Sequence, residues 1–148
     1  MEVQQDFKEL LRLFNAHDVA YVIVGGYALA FHGAPRYTGD LDILVRPDEE
    51  NASRIMKALD VFGFGTIGLQ NADFICRDKV VQLGVPPVRI DIITSLSGVS
   101  WEKAKAGSVK GNYGEIPVFY LGRDEFIENK RAIGRLKDRA DLEALGEK

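Results

Sequence analysis

The chain has 148 residues, of which 46% are hydrophobic and 28% are charged, and its formal net charge is −3. This size and composition are typical of one globular domain with a buried core. The charge excludes an overall basic field of the kind that accompanies a long nucleic-acid footprint. The single cysteine, Cys76, excludes an internal disulfide and a cysteine-based zinc site. Because no signal peptide and no apolar run near ~18 residues is visible, we expect a soluble, cytoplasmic protein with no membrane contact.

The first part of the chain predicts helices and strands in alternation. Apolar side chains at helical spacing predict an amphipathic helix over 4–16. Residues 19–24 are apolar on both faces, which predicts a strand covered on both sides. A second strand is predicted over 40–46. Asp48 then caps a helix that ends at Gly63.

The second part of the chain is richer in strands. Four segments have the composition of strands, namely 79–85, 88–94, 108–113 and 116–121. The first two form a predicted hairpin around Pro86-Pro87, and residues 64–78 predict a short strand plus an exposed turn. A short helix is predicted over 101–106, and the tail predicts two helices broken near Gly134. We therefore expect a single α/β (α+β) domain with a mixed sheet of about five strands and helices packed on it.

The stretch 22–46, VIVGGYALAFHGAPRYTGDLDILVR, carries the features of a site. Its first strand ends in Gly25-Gly26, and a short helix is predicted over 27–32. Two glycines permit close backbone approach, and a helix that follows them can meet an anion such as a triphosphate. A tight strand-to-helix turn alone also explains these residues. Neither a Walker loop nor a dinucleotide motif fits, because the required lysine and third glycine are missing.

Asp40 and Asp42 begin the second strand of this stretch. Alternate side chains of a strand share a face, so the two carboxylates are expected roughly 7 Å apart on one face. Like charges this close resist joint ionisation, and a divalent cation such as Mg²⁺ or Mn²⁺ removes that cost. Asp91 is the only acid in its run and shares a face with Arg89. It is either a third carboxylate on a neighbouring strand or a hydrogen-bonded acid at a strand edge.

The order strand, Gly-Gly, helix, Arg-x-Thr-x-Asp-x-Asp, strand resembles the DNA polymerase beta-like nucleotidyltransferase superfamily, with a spacer of thirteen residues over 27–39. The resemblance implies transfer of a nucleoside monophosphate from an NTP such as ATP to a hydroxyl, with release of pyrophosphate. It implies that Asp40, Asp42 and Asp91 are both the catalytic residues and the metal ligands. The first two acids hold two divalent ions, and the third helps to activate the attacking hydroxyl.

Nucleotide binding is implied for six residues, namely Gly25, Gly26, Arg36, Thr38, Lys130 and Asp141. The last two come from the tail, where a lysine precedes a helix rich in Lys and Arg that ends Asp-x-x-Asp-Leu. This tail resembles the C-terminal motif of small bacterial nucleotidyltransferases of the abortive-infection toxin type. In that family the lysine contacts the phosphates and the final aspartate belongs to the active site. Lys137 and Asp138 fit the motif without a definite role. The plain alternative is a solvated helix with an ordinary Lys137–Asp141 pair, and turn chemistry is the alternative for Arg36 and Thr38.

The resemblance leaves the acceptor open among RNA such as tRNA, a partner protein and a small molecule. Larger toxins of this type carry further C-terminal helices, so a homodimer or an antitoxin partner is an alternative source of acceptor recognition. Two other classes stay open. One is a non-catalytic antitoxin or regulatory module with the same fold, against which the intact acids and Gly-Gly count. The other is a metal-dependent phosphohydrolase, which would use histidines near the carboxylates. The chain has only His17 and His32, which counts against this class.

Overall fold

The computed structural model of the protein describes residues 3–34, 39–63, 68–85 and 88–147. Its helices and strands are α1 Gln5–Ala16, β1 Tyr21–Val24, α2 Gly25–Phe31, β2 Asp40–Val45, α3 Glu49–Phe62, β3 Val80–Val85, β4 Val88–Ile93, α4 Trp101–Ala106, β5 Val109–Tyr113, β6 Ile116–Tyr120, α5 Arg123–Ile133 and α6 Leu136–Ala144. Within these ranges no helix has both the length and the apolar character needed to cross a membrane.

The strands form one mixed sheet in the order β3-β4-β2-β1-β6-β5. β1 is antiparallel to β2 and parallel to β6, and β2 is parallel to β4. The pairs β3–β4 and β5–β6 are antiparallel hairpins at the two edges. The predicted mixed α/β fold is therefore confirmed. The sheet has six strands rather than about five, because both hairpins join the same sheet.

The core lies mainly on one side of the central strands. Leu41, Ile43 and Val45 of β2 are fully buried. They belong to one apolar cluster with the buried faces of α1 and α3, which include Phe7 and Ile55. Burial of each large apolar side chain stabilises the fold by about 1.5 to 3 kcal/mol. The alternate residues of β2, which include both acids, therefore belong to the other face of the sheet.

The predicted element ends are largely those of the structure, but the described part of segment 64–78, which begins at residue 68, contains no strand. The Asp48 carboxylate accepts a hydrogen bond from the Asn51 amide at 2.8 Å, and α3 ends at Gly63 with φ +99°. Over 68–79 the structure has turns and a 3-10 helix, Asn71–Phe74. The Asp73 side chain accepts from the Gln70 amide at 2.8 Å. Such local bonds satisfy the backbone without a strand partner.

Candidate active site

The turn between β1 and α2 is built around Gly25. Its φ of +67° lies in the left-handed region. A Cβ at this position would lie 2.3 Å from Oδ2 of Asp42. Both the backbone angle and the lack of space therefore require glycine. Because the Asp42 carboxylate lies directly against this backbone, the Gly-Gly turn and the acid belong to one site.

Strand register places the three predicted acids on one face of the sheet. β2 and β4 pair in parallel with Asp42 beside Asp91 and with Asp40 beside Arg89. Residues paired across neighbouring strands share a face. Burial, followed by the negative charges of Asp91 and Asp40, raises the pKa of Asp42 to about 6. The face therefore holds an excess of negative charge, which a bound cation would relieve.

Arg89 lies between two of the acids. Its Nε donates to Oδ1 of Asp91 at 3.1 Å, and its Nη2 donates to Oδ2 of the same carboxylate at 2.8 Å. The same Nη2 lies 3.4 Å from Oδ2 of Asp40. Among the described residues, no group of three or more His, Cys, Asp or Glu side chains has an arrangement that could hold a metal ion. The acids are neighbours, but the carboxylate of Asp91 is engaged by an arginine.

The tail contains a second cluster of charged side chains, and this one is buried. Nζ of Lys130 lies 3.3 Å from Oδ1 of Asp138 and 3.4 Å from Oδ2 of Asp141. The three side chains are 8%, 0% and 5% exposed. Nε of Arg135 lies 2.7 Å from Oδ2 of Asp138. Hydrogen bonding by Arg135, with the charge of Lys130, lowers the pKa of Asp138 to about 2. Because these three side chains are buried, the alternative of a solvated charged helix does not hold for them.

The tail and the acids lie within electrostatic reach of each other. The positive charges of Lys130 and Lys137 both act to lower the pKa of Asp42, against the larger effect of burial. Lys130 is shared by two carboxylates, whereas Lys137 is exposed and has no ion pair within the part of the chain that the structure describes. Lys137 is therefore the cation of the tail that is more available to a ligand at Asp42. In the sequence analysis Lys137 fits the tail motif without a definite role.

The structure describes four of the six predicted nucleotide-binding residues. Gly25 contacts an acid, and Gly26 follows it in the first turn of α2, where it is buried. Oδ2 of Asp141 lies 3.4 Å from Nζ of Lys130, whose charge acts on Asp42. Arg36 and Thr38 lie outside the described residues, so their roles stay predictions.

Sequence reasoning did not give Arg89 a role in the site. The signal was its position two residues before Asp91, which puts both side chains on one strand face. Its approach to Asp40 depends on the parallel register of β2 and β4. That register joins segments far apart in the chain, so the spacing of residues alone does not reveal it.

No protein-family model and no curated protein sequence matches the chain. Solved structures do match it. The chain resembles TM1012 of Thermotoga maritima, a protein assigned as a nucleotidyltransferase, with TM-score 0.62, 14% identity, and coverage of 93% of this chain and 88% of that one. It resembles ANT(2'')-Ia, solved with adenylyl-2''-tobramycin, with TM-score 0.56, 12% identity, and coverage of 94% and 84%. It also resembles the lincosamide adenylyltransferase LnuA, solved with lincomycin, with TM-score 0.50, 15% identity, and coverage of 99% and 98%.

These likenesses define the class of fold. TM1012 is assigned as a nucleotidyltransferase, and LnuA is an antibiotic adenylyltransferase. ANT(2'')-Ia was solved with an adenylylated antibiotic. Identities of 12% to 15% establish the fold and leave the activity to be argued from the site. The protein therefore has the nucleotidyltransferase fold, as the Gly-Gly and Asp-x-Asp pattern implied.

Proposed function

We propose that the protein is a metal-dependent nucleotidyltransferase, which moves a nucleoside monophosphate from an NTP to a hydroxyl acceptor and releases pyrophosphate. The observation that carries this proposal is the row of Asp40, Asp42 and Asp91 on one sheet face, packed against the Gly25 turn. The nucleotidyltransferase fold of the chain supports it. The acids and the glycine turn are the parts that phosphoryl transfer requires, namely metal ligands beside a phosphate-binding backbone.

The chemistry of the three acids suits a divalent metal ion, and Arg89 occupies the carboxylate of Asp91 in this structure. Three carboxylates supply hard oxygen donors, which suit Mg²⁺ or Mn²⁺. The guanidinium of Arg89 already lies between Asp91 and Asp40, so this face accommodates a positive charge. Asp40 and Asp42, with Asp91, would hold the ions. When bound, the metal supplies neutralisation of the triphosphate and a lower pKa for the acceptor hydroxyl.

The residues of the chain then have separate tasks. Asp91 takes the proton from the acceptor hydroxyl on a carboxylate oxygen, as the hydroxyl oxygen bonds to the α-phosphorus. The bond from that phosphorus to the oxygen bridging to the β-phosphorus breaks, and pyrophosphate leaves. The backbone of Gly25 and Gly26 binds the triphosphate, and Arg36 and Thr38 are assigned to its phosphate oxygens from their place in the sequence just before the acids. Lys130 adds positive charge near Asp42, where Asp141 positions it, and the exposed Lys137 contacts the phosphates directly. Roles for Arg36, Thr38 and Asp141 are those that the family resemblance implies.

Transfer of label from an NTP tests the proposal. The protein is incubated with each α-³²P-labelled NTP and Mg²⁺ or Mn²⁺, together with total RNA, total protein or a panel of hydroxylated small molecules. We expect label in one of these pools, pyrophosphate release, and at least about a hundredfold less transfer by Asp42→Asn, since the metal carries the charge of the transition state. Asp60→Asn, an exposed acid on α3, is the matched control and should behave as wild type. A folded protein that neither binds an NTP nor transfers label contradicts the proposal.

The acceptor class follows from the same experiment. Structural neighbours that adenylylate antibiotics favour inclusion of small-molecule hydroxyls. The resemblance of the tail to abortive-infection toxins favours RNA or protein acceptors and a toxin–antitoxin context, in which a homodimer or an antitoxin binds the chain. Label in RNA, in protein or in a small molecule distinguishes these acceptors.

A non-catalytic antitoxin or regulatory module with this fold is the second candidate. The observation that favours it is the engagement of Asp91 by Arg89, which leaves the acids without a metal-holding arrangement among the described residues. Calorimetric titration with NTP and Mg²⁺ separates the candidates. An enzyme binds the pair in the micromolar to millimolar range, roughly the usual range of Michaelis constants. A module that has lost the site does not.

A further inference from the structure

A single guanidinium connects the first and third acids of the site. Arg89 contacts both oxygens of Asp91, at 3.1 Å through Nε and 2.8 Å through Nη2, and approaches one oxygen of Asp40 at 3.4 Å. Two features of the backbone produce this arrangement. Arg89 precedes Asp91 by two positions on β4, and it pairs with Asp40 on β2. The fork geometry of arginine suits this bidentate contact with a carboxylate.

The oxygens that Arg89 binds are the oxygens that a divalent cation needs. The guanidinium takes one lone pair on each oxygen of Asp91 and places a positive charge beside them, so it competes with a metal ion for the same carboxylate. The side chain of Asp91 is only 11% exposed, so a carboxylate here without a cation beside it is costly. The side chain of Arg89 is 31% exposed, so it has solvent to move into. Asp91 is therefore the buried partner of the pair, and Arg89 is the partner with room to move into solvent.

We propose that Arg89 is an internal cation that holds Asp91 and Asp40 in the metal-free protein and releases them when a divalent cation binds. This inference rests on the proposed function, which supplies the metal. Metal binding is then an exchange of one positive charge for another at the same carboxylates. Arg89 is a positioning residue, because it acts on the reaction through Asp91 and not through the substrate.

An ordinary structural ion pair predicts the opposite effect on metal affinity. If Arg89 only kept Asp91 in place, its loss would leave the third acid misplaced and would weaken metal binding. If Arg89 competes with the metal, its loss strengthens metal binding. The two roles therefore differ in the sign of one measurable quantity, which is the dissociation constant for the metal.

Direct Mn²⁺ binding measures that sign without an acceptor or an activity. Free Mn²⁺ is followed by electron paramagnetic resonance during titration of the wild-type protein, Arg89→Met and Arg89→Lys. We expect Arg89→Met to bind Mn²⁺ roughly twofold to fivefold more tightly, which is the range of a partly exposed ion pair. Arg89→Lys keeps the charge but loses the fork, so its affinity should lie between the two. Arg54→Met is the matched control, because Arg54 pairs with Glu50 at 2.8 Å on α3, and its affinity should equal wild type.

Thermal melting in EDTA and in Mn²⁺ gives a second readout. The metal-free Arg89→Met protein should melt below wild type, and Mn²⁺ should raise its melting temperature by more than it raises that of wild type. If Arg89→Met does not fold, the comparison of Arg89→Lys with wild type decides by the same sign. If wild type binds Mn²⁺ and the folded variants bind it equally or more weakly, the exchange is overturned and the metal-dependent function is not. Absence of Mn²⁺ binding in wild type and in every variant overturns the metal-dependent function and the exchange with it.

Discussion

The molecule contains two clusters of charged side chains that differ in their charge balance. The sheet cluster consists of Asp40, Asp42, Asp91 and Arg89, and the tail cluster consists of Lys130, Arg135, Asp138 and Asp141. The sheet cluster has three acids against one cation, whereas the tail cluster has two against two. Burial, followed by the negative charges of Asp91 and Asp40, raises the pKa of Asp42 to about 6, whereas hydrogen bonding by Arg135, with the charge of Lys130, lowers the pKa of Asp138 to about 2.

The difference distinguishes the proposed metal site from a cluster whose charges are already paired. A cluster whose cations match its acids needs no ligand, and removal of one member leaves a buried charge without its partner. A cluster with surplus acids is less stable alone and gains from any cation that enters. The proposed site is thus the cluster in which the acids outnumber the cations among the described residues. Three experiments test this contrast.

The largest expected effect comes from breaking the tail cluster. Lys130→Met removes the ammonium that lies 3.3 Å from Asp138 and 3.4 Å from Asp141, which are both buried carboxylates. We expect the free energy of unfolding to fall by about 3 kcal/mol, as measured by urea denaturation at pH 7. Lys57→Met, at an exposed position on α3, is the control and should change stability by less than about 0.5 kcal/mol. A loss below about 1 kcal/mol for Lys130→Met would place the tail cluster among ordinary surface pairs.

A smaller effect of opposite sign is expected in the sheet cluster. Folding raises the pKa of Asp42 from 3.8 to about 6, so the folded state holds this proton more tightly than the unfolded chain. The stability that the proton gives is fully present below pH of about 4 and is lost as the pH rises through about 6. Asp42→Asn keeps a neutral side chain throughout. We therefore expect it to be more stable than wild type at pH 7 by about 1 to 2 kcal/mol, after allowance for solvent screening, with no difference at pH 4.

Urea denaturation in EDTA at pH 4, 5, 6 and 7 measures this dependence. EDTA is required because a divalent cation bound to the acids would hold Asp42 in its charged form. Asp60→Asn serves again as the control for the loss of an exposed carboxylate. A stability difference between wild type and Asp42→Asn that does not change over this range would contradict the electrostatic account of the sheet cluster.

The smallest expected effect concerns Lys137, a lysine of the tail whose charge acts on Asp42 of the sheet cluster. Lys137 is exposed and acts electrostatically on Asp42, so its contact with a triphosphate would be that of a point charge at a solvated site. We expect Lys137→Ala to raise the Michaelis constant for the NTP about fivefold with little change in kcat. Lys137→Arg should retain part of the affinity, and Lys57→Ala should behave as wild type. A large loss of kcat with an unchanged Michaelis constant would give Lys137 a different role.

Most of the fold was predictable because its signals are local. Apolar spacing located α1, the cap at Asp48 located the start of α3, and the hairpin of β3 and β4 followed from two apolar runs around a proline pair. Segment 64–78 was predicted as a short strand plus a turn, and its described part, 68–78, has turns and a 3-10 helix, in which the Asp73 carboxylate accepts from the backbone amide of Gln70. Whether both hairpins join the same sheet depends on pairing between distant strands, and local patterns do not contain that information.

The candidate site also has parts that local sequence patterns predict and parts that depend on tertiary packing. That Asp40 and Asp42 share a face follows from the two-residue period of a strand. That Asp91 is beside Asp42 depends on the register of two strands far apart in the sequence. The tail lysine was predicted to meet phosphates, but its burial between Asp138 and Asp141 depends on how α6 packs on α5. Side-chain partners of this kind follow from tertiary packing rather than from residue spacing.

The left-handed turn at Gly134 has a consequence for the order of folding. Its φ of +71° ends α5 and lets α6 begin two residues later, so the acids and the lysine of the tail cluster lie within the twelve residues 130–141. Closing so short a loop costs little chain entropy, and helical hairpins of this kind form quickly. The sheet cluster instead joins Asp42 to Asp91, 49 positions further along the chain. The tail is therefore expected to acquire its charge pairs early, and the three acids to meet only after the central strands have paired.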